Sequence, residues 1–403
     1  MKKYLPYITT LIASFTVASC LEDPYLDGCP EETSVPVQLM LSFADNAPTS
    51  RDVSSSDTDL DYTTDPQSAM TQDDVYILVF NEDKTELLYL VDDLTLGVVQ
   101  NDGYYTRALN GTMKSTTGGE NVSLVILANL NNQGISIGTS TVKEYLLSDA
   151  CMGKSAEAIY NNLVYQYNTD DDANATEPWN IDNRRIPMWG EITNIAVPNN
   201  GVTVDCYLYR ALAKVQIWVN MKDGIDGFVI NSITVNNIHT KGYCVSQANF
   251  DDDSPHYAGT NGFKPYVAPY PYIPANEEEY SYQSVTYNSI PTEDGKTKFF
   301  SDMIYLPEQV NKGATEPVTI TVNYTYKTVT QDGIIRFTEG GVEDQSKAFD
   351  IIRNHSYIFN INYDAEPAMY YEVIDWTSVN NGTLNFGNGD GNVTTPNGNT
   401  TIE

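Results

Sequence analysis

The segment Ser34-Val-Pro-Val-Gln-Leu-Met-Leu-Ser-Phe43 decides the fold class of this chain. Successive side chains of a β-strand point to opposite faces, so an apolar residue at every second position predicts a half-buried strand. The apolar face of this strand consists of Val35, Val37, Leu39, Leu41 and Phe43.

A polar linker follows the strand. Residues 44–74 are rich in Asp, Ser, Thr and Pro and contain almost no apolar run, which is typical of an exposed connection. Arg51 lies within it and is the only Lys or Arg between Lys3 and Lys84. The sequence therefore predicts a lone first strand that is joined to the rest of the protein by a linker with one basic residue.

The remaining chain reads as a series of strands. Short apolar or alternating runs predict strands at 75–80, 87–91, 122–127, 202–209, 212–221, 228–238, 318–326, 357–363 and 370–376. Two helical patches interrupt the series, near 141–150 and 155–165. The absence of regular strand–helix alternation argues against a doubly wound parallel sheet.

These elements predict an all-β protein made of two antiparallel β-sandwich domains in tandem, with short helices in the first. A length of 403 residues suits two domains of about 150–200 residues each. The turn at Pro198-Asn199-Asn200-Gly201 places their boundary near residue 200. The expected domains are 52–200 and 201–376, followed by a polar tail at 377–403.

The N-terminus reads as an export signal. Lys2 and Lys3 precede an apolar stretch that is too short to span a membrane, and residues 1–19 are therefore a predicted signal peptide. Val17-Ala18-Ser19-Cys20 resembles a bacterial lipobox, in which the thiol of the Cys accepts the lipid. We therefore expect lipidation at Cys20, the alternative being an ordinary signal peptide with a chance Cys.

The chain is strongly acidic. It has 22 Lys and Arg against 54 Asp and Glu, a formal net charge of −32. Binding to a nucleic-acid backbone requires positive charge, so a nucleic-acid partner is not expected. The charge also favours solubility and exposure to water.

The cysteines and acidic runs define no metal or cofactor site. Cys29, Cys151, Cys206 and Cys244 form no CxxC pair, and their three possible disulfide pairings and free buried thiols all remain open. Asp170–Glu177 and Asp251–Asp253 read as solvated loops, with weak calcium binding as the alternative. We expect neither a metal nor a cofactor.

One segment matches a catalytic motif. Gly134-Ile-Ser136-Ile-Gly138 fits the GxSxG pattern, but a nucleophile elbow requires its Ser on a sharp turn directly after a strand of a parallel sheet. Here residues 129–133 intervene, so we expect no enzymatic activity and no catalytic residue.

Several short blocks resemble those of the fimbrillins, the pilins of type V pili of Gram-negative anaerobes. The resemblance covers residues 20–376, and the shared order of the blocks is more specific than any one of them. The blocks are Asp74–Asn81, Leu124–Asn129, Ile186–Gly190, Leu208–Val215, Ile304–Glu308, Ile352–Tyr357 and Val373–Trp376.

The resemblance implies transthyretin-like sandwich domains and assembly by donor-strand exchange. A lipoprotein precursor at the outer membrane would be cut by an Arg-specific protease between Arg51 and Asp52. The cut would release residues 20–51 with the first strand. The vacated groove would accept a strand from the C-terminal end of another subunit, here near 370–376, and subunits would join head to tail into a fimbrium that serves adhesion.

Two alternatives remain beside a cleaved fimbrial subunit. One is an anchor or accessory lipoprotein that keeps its lipid and is not cut, for which Arg51 would have no use. The other is a glycan-binding or hydrolytic surface lipoprotein, for which Tyr266, Tyr270 and Tyr272 offer an aromatic cluster. The adhesion ligand and the position along the fibre stay open.

Overall fold

The computed structural model describes residues 34–43, 69–100, 106–116, 119–138, 141–167, 179–181, 183–221, 228–245, 282–287, 298–311, 313–326, 328–338, 346, 348, 350–364 and 366–375. These residues form an all-β protein with two one-turn helices, as the sequence predicts. Cys20, Arg51 and Asp52 lie outside the described residues, as do both acidic runs and the tyrosine cluster.

Eighteen strands are described. They are β1 (Ser34–Phe43), β2 (Val75–Asn81), β3 (Leu87–Leu90), β4 (Asp92–Gln100), β5 (Thr106–Lys114), β6 (Val122–Ala128), β7 (Val164–Gln166), β8 (Met188–Ile195), β9 (Val202–Arg210), β10 (Leu212–Met221), β11 (Phe228–His239), β12 (Lys241–Tyr243), β13 (Tyr282–Tyr287), β14 (Lys298–Pro307), β15 (Thr319–Tyr326), β16 (Val329–Arg336), β17 (His355–Asp364) and β18 (Glu366–Asp375). The helices are α1 (Val142–Leu146) and α2 (Ala156–Tyr160).

Strands β1 to β9, except β7, form one eight-stranded sheet with the order β3-β2-β6-β8-β9-β1-β5-β4. The sheet folds over itself, because buried side chains of β2 and β6 share one hydrophobic core with those of β1 and β5. Only Met188–Arg210 and Trp189–Tyr209 pair β8 with β9, at the point where the sheet turns from one layer to the other. We call β1–β9 the first half.

The central strands β2 and β6 are buried on both faces, as the unbroken apolar runs predict. One face packs in the core with β1, while Tyr76, Leu78 and Phe80 on the other face belong to a second core that includes the helices. Both helices are capped at their N-termini, α1 by a reciprocal capping box between Thr141 and Glu144.

Strands β10–β18, the second half, form two four-stranded sheets and one short pairing. The sheets have the orders β14-β10-β17-β18 and β13-β11-β15-β16, and buried side chains of both contribute to one continuous core. The short strand β12 pairs instead with β7, so a strand of the second half is hydrogen-bonded to a strand of the first.

The sheets are not purely antiparallel, which corrects the sequence-based expectation. β1 pairs in parallel with β9, and β10 pairs in parallel with β17. The two strands of each parallel pair are far apart in sequence. The strands between them supply the long connection that parallel neighbours require.

The change from one sheet system to the other falls at Ala211. The sequence assigned residues 202–209 to the second domain, but β9 pairs with β1 and β8 in the first sheet, and β10 begins the next sheet at Leu212. The division into two domains stays a prediction. Among the described residues, no helix has the length and apolar character needed to cross a membrane.

Candidate functional site

The candidate site is the groove between β5 and β9 that β1 occupies, which we call the seat of β1. This strand lies inside its layer, with β5 antiparallel on one side from Ser34–Lys114 to Ser42–Thr106. On the other side β9 runs parallel, from Val37–Val202 to Phe43–Leu208. β1 is therefore an inserted strand, and its removal would leave unpaired the edges of β5 and β9 that face it.

The buried face of β1 fills the core of the first half. Val35 and Val37 are each 2% exposed, and Leu39 and Leu41 are fully buried. They share one core with apolar side chains of β2 and β6 on the opposite layer. Only the backbone of Phe43, the fifth residue of the expected apolar face, is described.

Two glycines allow the close packing around β1. Gly111 lies opposite Val37, and a Cβ there would come within 2.8 Å of Val91 and 2.9 Å of Leu94. Gly201, directly before β9, has φ +85°, and a Cβ there would clash with the carbonyl oxygen of Pro36. Position 201 therefore needs glycine both for its left-handed backbone and for space.

The outer face of β1 is held by polar contacts. Gln38 donates a hydrogen bond from Nε2 to Oδ1 of Asn110, its cross-strand neighbour on β5, at 2.9 Å. Such pairs contribute a few tenths to one kcal/mol each, about one order less than the buried face. The specificity of the seat thus resides mainly in the apolar side chains.

A second group of buried side chains joins the two halves next to Ala211. The backbone N–H of Arg210 and one of its guanidinium nitrogens both donate to Oδ1 of Asn354, at 3.2 and 3.3 Å. The N–H of Asn354 donates in turn to the carbonyl of Leu212 at 2.9 Å. Arg353 donates to the Glu308 carboxylate at 2.5 Å, and the side chains of this ion pair are only 5% and 4% exposed.

Arg353 and a second arginine also secure the β7–β12 contact. Arg353 donates to the carbonyls of Tyr243 and Cys244 beside β12. Arg184 donates to the carbonyls of Gln166 and Tyr167 at the end of β7. Its guanidinium lies 3.6 Å above the ring of Trp179, a cation–π contact.

Burial lowers the pKa of Arg184 to about 10, so it remains charged at neutral pH. Tyr167 extends the contact into the second half, because its hydroxyl donates to the carbonyl of Tyr305 at 2.8 Å. The blocks that contain Arg210 and Arg353 were noted in the sequence for their resemblance to the fimbrillins, and the structure brings them to one junction.

The described cysteines are free. Cys151, Cys206 and Cys244 are all buried thiols without a disulfide. Burial raises the pKa of Cys244 to about 12, so it stays protonated. Cys29 lies outside the described residues.

Ser136 does not lie on a strand-to-helix elbow. It is exposed, in an irregular segment between β6 and α1, where Gly134 and Gly138 adopt positive φ. Within the described parts of the chain, no group of three or more His, Cys, Asp or Glu side chains is arranged to hold a metal ion.

The family model described as "Fimbrillin-A associated anchor proteins Mfa1 and Mfa2" matches residues 26–382. The chain belongs to this fimbria-associated family, in agreement with the resemblance of its sequence blocks. No protein of curated function matches the chain.

Two solved structures from Bacteroidales are similar to this chain. A fimbrial assembly protein from Parabacteroides distasonis is 15% identical, with a TM-score of 0.41, and the match covers 86% of this chain and 98% of that one. A candidate cell adhesion protein from Bacteroides eggerthii is 14% identical, with a TM-score of 0.43 over 85% and 96% of the two chains.

Proposed function

We propose that this protein is a structural subunit of a surface fimbrium, made as a lipoprotein precursor and assembled by donor-strand exchange. In this proposal Cys20 carries the lipid at the outer membrane, and an Arg-specific protease cuts between Arg51 and Asp52. The observation that carries the proposal is β1, a strand inserted in the middle of a layer. It is followed in sequence by the segment with Arg51 as its only basic residue.

The burial of β1 supplies the driving force for exchange. Each of its four buried side chains is worth roughly 1.5–3 kcal/mol, which gives on the order of 10 kcal/mol of gross stabilisation. A cleaved subunit that lost β1 would expose this groove and one unpaired edge each of β5 and β9. A strand with apolar residues at every second position would restore both, and successive head-to-tail contacts of this kind build an open filament.

The proposed donor segment is partly in use within its own chain. Residues 370–375 form the second part of β18, which pairs with β17 from Asp364–Glu366 to His355–Asp375. β18 is the last strand of its sheet in the described part of the chain. A donor taken from these residues must therefore leave β17 before it enters another subunit.

We further infer that the two halves are tandem sandwich domains of the transthyretin type. Their strand orders support this: β3-β2-β6-β8 corresponds to β13-β11-β15-β16, and β5-β1-β9 corresponds to β14-β10-β17. In both halves the first strand lies between an antiparallel neighbour, β5 or β14, and a parallel one, β9 or β17.

The decisive experiment is substitution of Arg51. We expect Arg51→Ala to accumulate full-length, lipid-bound precursor and to abolish filaments, while filaments of the unaltered protein contain subunits that begin at Asp52. Arg51→Lys is the matched control, because it keeps the charge and should also block an Arg-specific protease. N-terminal sequencing of sheared filaments reads out the cut, and filaments of Arg51→Ala subunits with an uncut N-terminus would refute maturation by cleavage.

A second candidate function is the fimbrial anchor. The family description names anchor proteins, and an anchor would keep β1 in its own seat and its lipid at Cys20. In that case the surface protein would retain residues 20–51 in every preparation, and Arg51→Ala would leave fimbriation unchanged. Cys20→Ala would then detach the fimbria from the cell, whereas for a cleaved subunit it would block delivery of the precursor.

A further inference from the structure

In each half the first strand has a parallel neighbour from near the end of that half, β9 beside β1 and β17 beside β10. In the first half, Val37 of β1 lies opposite Val202 and Phe43 lies opposite Leu208 of β9. In the second half, Lys214 of β10 lies opposite Ser356 of β17, and the pairing continues in the same direction to Met221–Tyr363. The start of the first strand and the end of its parallel neighbour therefore lie at opposite ends of each ladder.

This arrangement determines how a pull along the chain is resisted. When the start of β1 and the end of β9 are pulled apart, the two strands must slide past one another. The backbone hydrogen bonds of the ladder are then loaded together and not one after another. Sliding would also draw the buried Leu39 and Leu41 out of the core.

The link between the two halves is short and buried. β9 and β10 are separated only by Ala211, and Arg210, Ala211 and Leu212 are all fully buried. The N–H of Ala211 donates to the carbonyl of Pro187 at 2.8 Å, and Asn354 bonds to both neighbours of Ala211. The last strand of one ladder thus continues directly into the first strand of the next.

We propose that the chain carries tension along its length through two shear-loaded parallel ladders in series, β1–β9 and β10–β17. A pull on the segment before β1 passes through β9 and Ala211 into β10 and then into β17. The proposal rests on the strand directions and concerns the uncleaved chain with β1 in place; after the loss of β1 only the β10–β17 ladder would remain.

The C-terminal hairpin should behave in the opposite way. β18 runs antiparallel to β17, and Asp375 at its end lies opposite His355 at the start of β17. A pull on the segment after β18 therefore opens this hairpin one residue pair at a time, at low force. β18 should therefore detach first, while the parallel ladders β1–β9 and β10–β17 resist the pull.

The test is single-molecule force spectroscopy of the full chain in two pulling directions. For end-to-end pulling, attachment tags are placed at both termini. For peeling, the second attachment is a click-reactive residue in place of Lys114, which is exposed and lies opposite Ser34 on β5. In this geometry β1 is pulled away from β5 beginning at the Ser34–Lys114 pair. Equal melting temperatures of the tagged and unaltered chains serve as the control for folding.

We expect end-to-end traces to show one weak early event, the release of β18, followed by rupture at a force roughly twofold or more above that of the peeling geometry, since forced unfolding reports the barrier along the pulled direction. Because both geometries pull the same protein, a difference in rupture force between them cannot arise from its overall stability. Rupture at equal forces in both directions would overturn the proposal. So would a final end-to-end event no stronger than the release of β18.

Discussion

Two buried ionisable side chains give opposite pH dependences. His239 is 5% exposed, and burial lowers its pKa to about 4. Asp74 is 8% exposed, and burial raises the pKa of its carboxyl to about 6, although the backbone N–H groups of Leu130 and Asn131 donate to it and oppose the shift. Each group prefers its neutral form in the folded protein.

The sign of each contribution follows from proton binding. Between about pH 6.5 and 4 the unfolded chain protonates His239 while the folded protein does not, so this residue reduces stability as the pH falls. Between about pH 6 and 4 the folded protein binds a proton at Asp74 that the unfolded chain lacks, so Asp74 increases stability as the pH falls. The two contributions largely offset each other in this window.

We therefore expect the variants His239→Gln and Asp74→Asn to change acid stability in opposite directions. Relative to its own value at pH 7.5, the free energy of unfolding at pH 4.5 should be higher in His239→Gln than in the unaltered protein and lower in Asp74→Asn, by on the order of 1–3 kcal/mol. Urea titrations at the two pH values measure the difference within each variant. Parallel shifts in both variants would contradict the assignment.

At the scale of the element, β1 tests whether the buried face or the backbone ladder holds a strand in its seat. Leu39 is fully buried, while its neighbour Met40 points to the other face and is partly exposed. The two positions share the same strand, the same neighbours and the same ladder. They differ only in the face to which their side chains point.

We expect Leu39→Asn to destabilise the first half by roughly 3 kcal/mol or more, because it removes apolar contacts and buries an amide. Met40→Asn, the matched control, should cost about 1 kcal/mol or less. Hydrogen exchange of residues 34–43 should accelerate strongly in Leu39→Asn alone. Similar exchange in both variants would show that the ladder, and not the buried face, retains β1.

At the scale of the whole molecule, the β7–β12 pairing joins the halves, and the guanidinium of Arg184 holds the end of β7 in place for that pairing. Arg184 is suited to this role because its rigid fork reaches the carbonyls of Gln166 and Tyr167 together while it stacks on Trp179. Lysine would keep the positive charge but could not reproduce this geometry.

We expect Arg184→Lys to lower the free energy of unfolding by roughly 2–4 kcal/mol, through several lost hydrogen bonds and the lost stacking contact. Arg185→Lys is the control, at the next position of the same segment. Chemical denaturation monitored by tyrosine and tryptophan fluorescence provides the comparison. An effect of Arg184→Lys no larger than that of Arg185→Lys would mean that the positive charge, and not the fork geometry, matters at the end of β7.

The strands that the sequence predicts share one property: the apolar pattern of their own side chains is enough to identify them. β1 alternates cleanly, and β2 and β6 are apolar on both faces, so local pattern was sufficient. The sequence did not reveal β4 and β5, whose runs Asp92–Gln100 and Thr106–Lys114 mix polar residues with glycine. Their conformation depends on pairing with each other and with β1.

The sequence by itself determined the all-β class, the half-buried first strand, the positions of both helices and the family blocks. Tertiary structure decided that β1 pairs in parallel with β9, which lies more than 150 residues further along the chain. It also decided that β9 belongs to the first sheet and that Arg210, Arg353 and Asn354 meet at one junction. The physical reason is that periodicity records which face of a strand is buried, whereas partner and direction depend on the closure of the chain around its core.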